Sequence, residues 1–112
     1  MDNTEIQKIA MTVIMNSGDA RSSAMEAIQL ARKGEYDVAL EKNQKAKEAI
    51  VLAHKAQTEL LQKEANGDQL EFSLLLTHSQ DHLMSTMVII DLADEILEIW
   101  KKISSKTEAE NK

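Results

Sequence analysis

Two imidazoles and a carboxylate fall within about one helical turn at His78, Asp81 and His82, in a segment otherwise rich in leucine, methionine and isoleucine. Three chemistries are open to such a group. A His-x-x-x-His pair on one helix face can chelate zinc, but with no cysteine and only His54 elsewhere the ligand set is incomplete within one chain. The pair can also be two hydrogen-bonded structural histidines. Finally, a neutral imidazole is a good nucleophile toward phosphorus near neutral pH when a second group holds the proton on its other ring nitrogen. The chain has no Walker-type loop, so a phosphoryl group would have to arrive from another protein. An all-oxygen site made from carboxylates such as Asp81 suits a hard cation such as Mg²⁺.

Helices must position these groups. The 112 residues contain no proline, only Gly18, Gly34 and Gly67, and abundant Ala, Leu, Glu, Lys, Gln and Met. That composition predicts a single all-α domain. From Thr4 to about Lys33, Ile6, Ala10, Val13, Ser17, Ala20, Ala24, Ala27 and Ala31 recur at steps of three and four, forming the buried stripe of an amphipathic helix. Asn16-Ser17-Gly18-Asp19-Ala20-Arg21-Ser22 interrupts it with polarity, either as a tolerated break or as a cluster facing the site from another helix. Gly34 after Arg32-Lys33 reads as a C-terminal cap. Asp37 is then expected to N-cap a second helix that carries Ala39, Ala46, Ala49, Ala53, Ala56 and Leu60 to a stop at Asn66-Gly67. Such short connections predict an antiparallel up-down-up three-helix bundle, with helices near 4–33, 37–66 and 69–104 in a single domain 1–104, and a fraying polar tail, 105–112.

The third helix is apolar on two sides. Phe72, Leu75, Ser79, Thr86, Ile90, Ala93, Leu97 and Trp100 form a face for packing on the first two helices; Met84 and Met87 are read as core residues, the alternative being a soft lining for a partner surface around His78. Leu70, Leu74, Val88, Leu92 and Ile99 form a second stripe centred on Asp81, which a three-helix bundle cannot cover and another copy of the chain can. Around a symmetry axis, copies of Asp81 would be forced together and would need a shared cation, a shared proton or water. His78 and His82 fall at the margin of that stripe. The net charge of −6 argues against nucleic acid or an anionic membrane surface as the main partner. The acidic Met1-Asp2-Asn3-Thr4-Glu5 start has neither the basic nor the apolar region of a signal peptide, so a cytoplasmic location is expected.

Leu74-Leu75-Leu76-Thr77-His78-Ser79-Gln80-Asp81-His82-Leu83-Met84 resembles the signature of the lactose/cellobiose-type enzyme IIA family of the bacterial phosphoenolpyruvate-dependent sugar phosphotransferase system. Asn16-Ser17-Gly18-Asp19-Ala20-Arg21-Ser22, Met25-Glu26-Ala27, Ala53-His54-Lys55-Ala56-Gln57-Thr58 and Glu64-Ala65-Asn66-Gly67 are similar to further parts of the pattern, so the resemblance spans nearly the whole chain. Thr77 and Ser79 stand where Val and Ala are frequent. Asn16-Ser17-Gly18 looks more like the cellobiose or chitobiose branch than the lactose branch.

The resemblance implies a homotrimer of three-helix bundles, a nine-helix assembly that carries phosphate. His78 matches the phosphorylated histidine, which takes a phosphoryl group on Nε2 from the histidine-containing phosphocarrier protein and passes it to a cysteine of enzyme IIB. The membrane enzyme IIC is then an indirect partner in the uptake of a β-linked disaccharide of the cellobiose/chitobiose or lactose type. Asp81 matches a metal-binding aspartate shared between subunits at the three-fold axis, which would hold Mg²⁺ or a similar divalent cation. His82 and Gln80 match positions expected to orient His78 or contact phosphoryl oxygens. The rival expectation is a non-catalytic helical interaction module whose His and Asp residues are structural.

Overall fold

Each helix of the chain is delimited by a local device that the backbone records. The structure, a computed structural model, describes residues 2–70 and 73–110. It contains three α-helices, α1 (Asn3–Arg32), α2 (Tyr36–Ala65) and α3 (Leu74–Glu110), and no strand among the described residues. Asp2 starts α1 by accepting the Glu5 amide at 2.8 Å. Two glycines end α1 and α2 in the same way. Gly34 (φ 88°) donates to Ala31 O while Glu35 donates to Leu30 O; Gly67 (φ 100°) donates to Glu64 O while Asp68 donates to Lys63 O. This is the Schellman pair of bonds, and it needs a left-handed residue that glycine adopts without strain.

The second and third helices begin elsewhere than the spacing suggests. Glu35, not Asp37, occupies the N-cap of α2, and its carbonyl accepts the first helical bond from Ala39 N. The turn is so tight that Glu35 closes α1 and opens α2, leaving Asp37 inside the first turn, where a carboxylate favours the positive end of the helix. The third helix starts at Leu74 rather than near Gln69, because Ser73 caps it: Leu76 N donates to Ser73 Oγ at 3.0 Å. Leu70 therefore lies outside α3, and Phe72 lies outside the described residues. At the other end, α3 continues to Glu110 through the expected tail.

The bundle forms around small side chains. All eight stripe residues of α1 are buried. On α2, Ala39, Ala46, Ala53 and Leu60 are buried, whereas Ala49 and Ala56 are half-buried and Asn43 and Gln57 take core positions. On α3 the buried line is Ser79, Leu83, Thr86, Ile90, Ala93 and Leu97, with Leu75 and Trp100 half-buried. Val13, Ala53 and Leu83 form one layer, Ala20, Ala24, Ala46, Ile90 and Ala93 the next, and Ala27, Ala31, Ala39 and Leu97 the last. Alanine lets the helix backbones approach closely, so a slender bundle still excludes water.

The second stripe of α3 stays uncovered. Leu74, Val88, Leu92 and Ile99 are 80%, 57%, 55% and 56% exposed. Met84 and Met87, read from the sequence as core, are open to solvent as well. Among the described residues no helix is long and apolar enough to cross a membrane.

Candidate functional site

His78 sits just over one turn into α3, on a segment held by three local features. Ser73 caps the helix; Ser79 is buried and donates its hydroxyl to Leu76 O at 2.7 Å; Leu83 is fully buried against Val13 and Ala53. With Ser79 and Leu83 turned inward, the residues one position before each are rotated by about 100° toward a flank of the helix. His78 is exposed and His82 half-buried. The two Nε2 atoms are 3.0 Å apart, and the rings meet edge to face with centroids 4.3 Å apart at 71°.

An Nε2–Nε2 hydrogen bond requires one ring to donate and the other to accept. In the arrangement where His82 Nε2–H donates, His78 carries its proton on Nδ1 and presents an Nε2 lone pair. That is the tautomer a nucleophilic Nε2 needs. The pair thus forms an edge of two imidazoles at the surface of the bundle, His78 exposed and His82 half-buried.

The other residues read from the motif separate around the helix. Asp81 is exposed on the outer stripe with Leu74 and Val88. Gln80 is not brought to His78: it points to the opposite flank, where its Oε1 accepts from Gln57 Nε2 of α2. His54 also lies on that side, lining an open groove between α2 and α3 with Ile50, Val51, Thr58 and Met87. The three histidines therefore do not converge, and among the described residues no group of three His, Cys, Asp or Glu side chains is placed to hold a metal ion. At Asp81, too, a single chain offers no such group among the described residues.

The Asn16-Ser17-Gly18 segment neither breaks α1 nor joins the histidines. Asn16 Nδ2 donates to Thr12 O at 2.9 Å, and Ser17 O accepts from Thr86 Oγ1 at 3.4 Å. Two polar residues escaped the sequence reading, Asn43 and Gln57. Each bonds across to α3, Asn43 Nδ2 to Asp94 Oδ1 at 2.6 Å and Gln57 to Gln80. Their signal was positional: both stand within the three-and-four spacing of the α2 core stripe, where a polar side chain needs a partner.

Comparison with known proteins follows the same outline. Residues 8–101 match the family described as "PTS system, Lactose/Cellobiose specific IIA subunit". The lichenan-specific phosphotransferase enzyme IIA component of Bacillus subtilis (strain 168) is 45% identical over 93% of this chain and 94% of its own length. The crystal structure of the cellobiose-specific enzyme IIA from Bacillus anthracis superposes with a TM-score of 0.88 at 47% identity, covering 95% of both chains. A solution structure of the chitobiose IIA in complex with HPr, from the N,N'-diacetylchitobiose branch of the Escherichia coli phosphotransferase system, gives a TM-score of 0.73 at 33% identity, covering 88% of this chain and 96% of that one. The chain belongs to the lactose/cellobiose-specific IIA family and is a phosphotransferase component of a sugar phosphotransferase system.

Proposed function

We propose that the protein is a cytoplasmic phosphocarrier in which His78 Nε2 takes a phosphoryl group from the histidine-containing phosphocarrier protein and hands it to a cysteine of enzyme IIB. The observation that carries this reading is the exposed His78–His82 pair joined through Nε2, in a chain of this family. In the first step the donor's P–N bond breaks as a P–N bond forms to His78 Nε2, whose lone pair is free once His82 swings aside. His82 Nε2–H can then donate to a phosphoryl oxygen. In the second step the acceptor thiolate attacks phosphorus and His78 leaves as a neutral imidazole that retains its Nδ1 proton. Little covalent work falls to the protein; alignment of donor and acceptor dominates.

The E. coli relative solved in complex with HPr supports the assigned donor. The lichenan and cellobiose relatives support a β-linked disaccharide, of cellobiose/chitobiose or lactose type, as the sugar that enzymes IIB and IIC import. The chain itself need not touch sugar. We further assign it a homotrimeric state, with the exposed α3 stripes facing one another. Asp81 from each copy would hold Mg²⁺ or a similar divalent cation through carboxylate oxygens, and the ion would neutralise their clustered charge.

Incubation with phosphoenolpyruvate and the purified general components is expected to place a stoichiometric, acid-labile phosphoryl group on the protein. His78→Gln is expected to accept none. Equal labelling of His78→Gln and the parent would remove His78 from the reaction.

A further inference from the structure

Gln57 belongs to a part of the sequence pattern, Ala53 to Thr58, that the transfer chemistry leaves without a role. It is 8% exposed, on the face of α2 that packs toward α3, and its side-chain Nε2 donates to Gln80 Oε1. Gln80 lies two residues after His78 and two before His82, hence about 160° around α3 from either ring when measured the shorter way. Together with the buried Ser79 and Leu83, whatever grips Gln80 helps set how far the two imidazoles are rotated from the bundle.

On this flank Leu83 packs against Ala53 of α2 beside His82; nearer His78 the hold is weaker. Leu74 is 80% exposed, Thr77 is exposed, and the Ser73 cap fixes where α3 starts without tying it to another helix. A second amide bridge, Asn43 to Asp94, lies further along the same two helices. Asn43 and Gln57 are separated by the same number of residues as Gln80 and Asp94, so the two bridges share a single antiparallel register. Lys47 reinforces the Asp94 end at 2.9 Å; the Gln57–Gln80 bridge lies level with the histidines.

We propose that Gln57 is a positioning residue for phosphoryl transfer, acting through Gln80 to hold the turn of α3 that presents His78 and His82. A small rotation of α3 about its axis would carry His78 toward the bundle or toward the outer stripe. In-line transfer between two proteins tolerates misplacement on the order of 1 Å only with a large loss of rate. The inference rests on the phosphocarrier reading for its functional consequence and not for its geometry.

Gln57→Leu keeps the volume of the side chain and removes the bridge; Gln80→Leu removes it from the other side, at a half-buried position that leaves the core unchanged. Three quantities are compared in these variants, their double and the parent: thermal unfolding, the ¹⁵N side-chain signals of His78 and His82 without phosphate, and the rate of phosphorylation by the phosphorylated donor. Each single variant is expected to melt as a cooperative helical protein, to shift the imidazole signals, and to lose about tenfold in rate, a modest share of what misplacement can cause. The double variant is expected to lose no more than either single one. Unchanged imidazole signals and rate in both singles, or losses that multiply in the double, would overturn the proposal. A parent that no donor phosphorylates would defeat the phosphocarrier reading alone, since the ring signals decide the bridge independently.

Discussion

On the phosphocarrier reading proposed above, His78 and His82 would divide between them what the transfer needs, a lone pair for phosphorus and a donor to hold the charge that arrives. His82 Nε2 lies 3.0 Å from His78 Nε2, so it can fix the tautomer before transfer and donate to a phosphoryl oxygen after it. A hydrogen bond to a charged group contributes about 1.5–3 kcal/mol. His82→Ala is therefore expected to slow phosphorylation roughly ten- to a hundredfold while still yielding phosphohistidine at His78, as followed by rapid-quench labelling. A rate equal to the parent's would leave His82 without a part in the transfer. That the two rings meet was legible from sequence, because i and i+4 positions meet on a helix. Gln80 was legible too, had the angle been followed: two residues on a helix differ by about 200°, which sends its side chain away from both rings and onto Gln57. Gln57 was harder to read, since its meaning depends on a partner from a different helix.

Helix ends show which signals are local. Gly34 and Gly67 end α1 and α2 as their spacing indicates, because a left-handed residue is a property of one position. The starts of α2 and α3 are less local: Asp37 is a better cap by residue type than Glu35, yet the tight turn puts Glu35 there, and Ser73, not a residue near Gln69, caps α3. Glycine also separates two mechanical predictions. Nothing lies within 4 Å of a Cβ added at Gly18, which sits inside the continuous α1. Gly18→Ala is thus expected to stabilise the chain by about 0.5–1 kcal/mol, raising Tm by a few degrees. At Gly34 a Cβ also meets open space, but φ is +88°, so Gly34→Ala is expected to destabilise by about 1 kcal/mol through backbone strain alone. Opposite signs for two chemically identical substitutions, read by thermal denaturation, would separate conformational preference from packing. If Gly18→Ala lowered Tm, the glycine would serve something other than the helix.

At the scale of the whole molecule, a rod of 64 × 20 × 18 Å offers its longest helix as an unfinished surface. The alternation of apolar and polar positions made that surface legible before any fold was known, since α3 carries one stripe more than two neighbouring helices can bury. What spacing could not supply is the number of copies that cover it. Asp81 lies among Leu74, Val88, Leu92 and Ile99, all more than half exposed. If copies meet along this stripe, their Asp81 carboxylates converge in low dielectric and must be neutralised, whereas a leucine there would simply extend the apolar seam. Replacing buried charged groups by well-packed apolar ones is often neutral or stabilising by about 1–4 kcal/mol. Asp81→Leu is therefore expected to keep the parent's oligomeric mass in sedimentation equilibrium, to melt at the same or a higher temperature, and to lose any response of Tm to added Mg²⁺. A monomeric Asp81→Leu would mean that the carboxylate, through its cation, holds the copies together and that the apolar stripe is insufficient to do so. An unchanged Mg²⁺ response would place the ion away from Asp81.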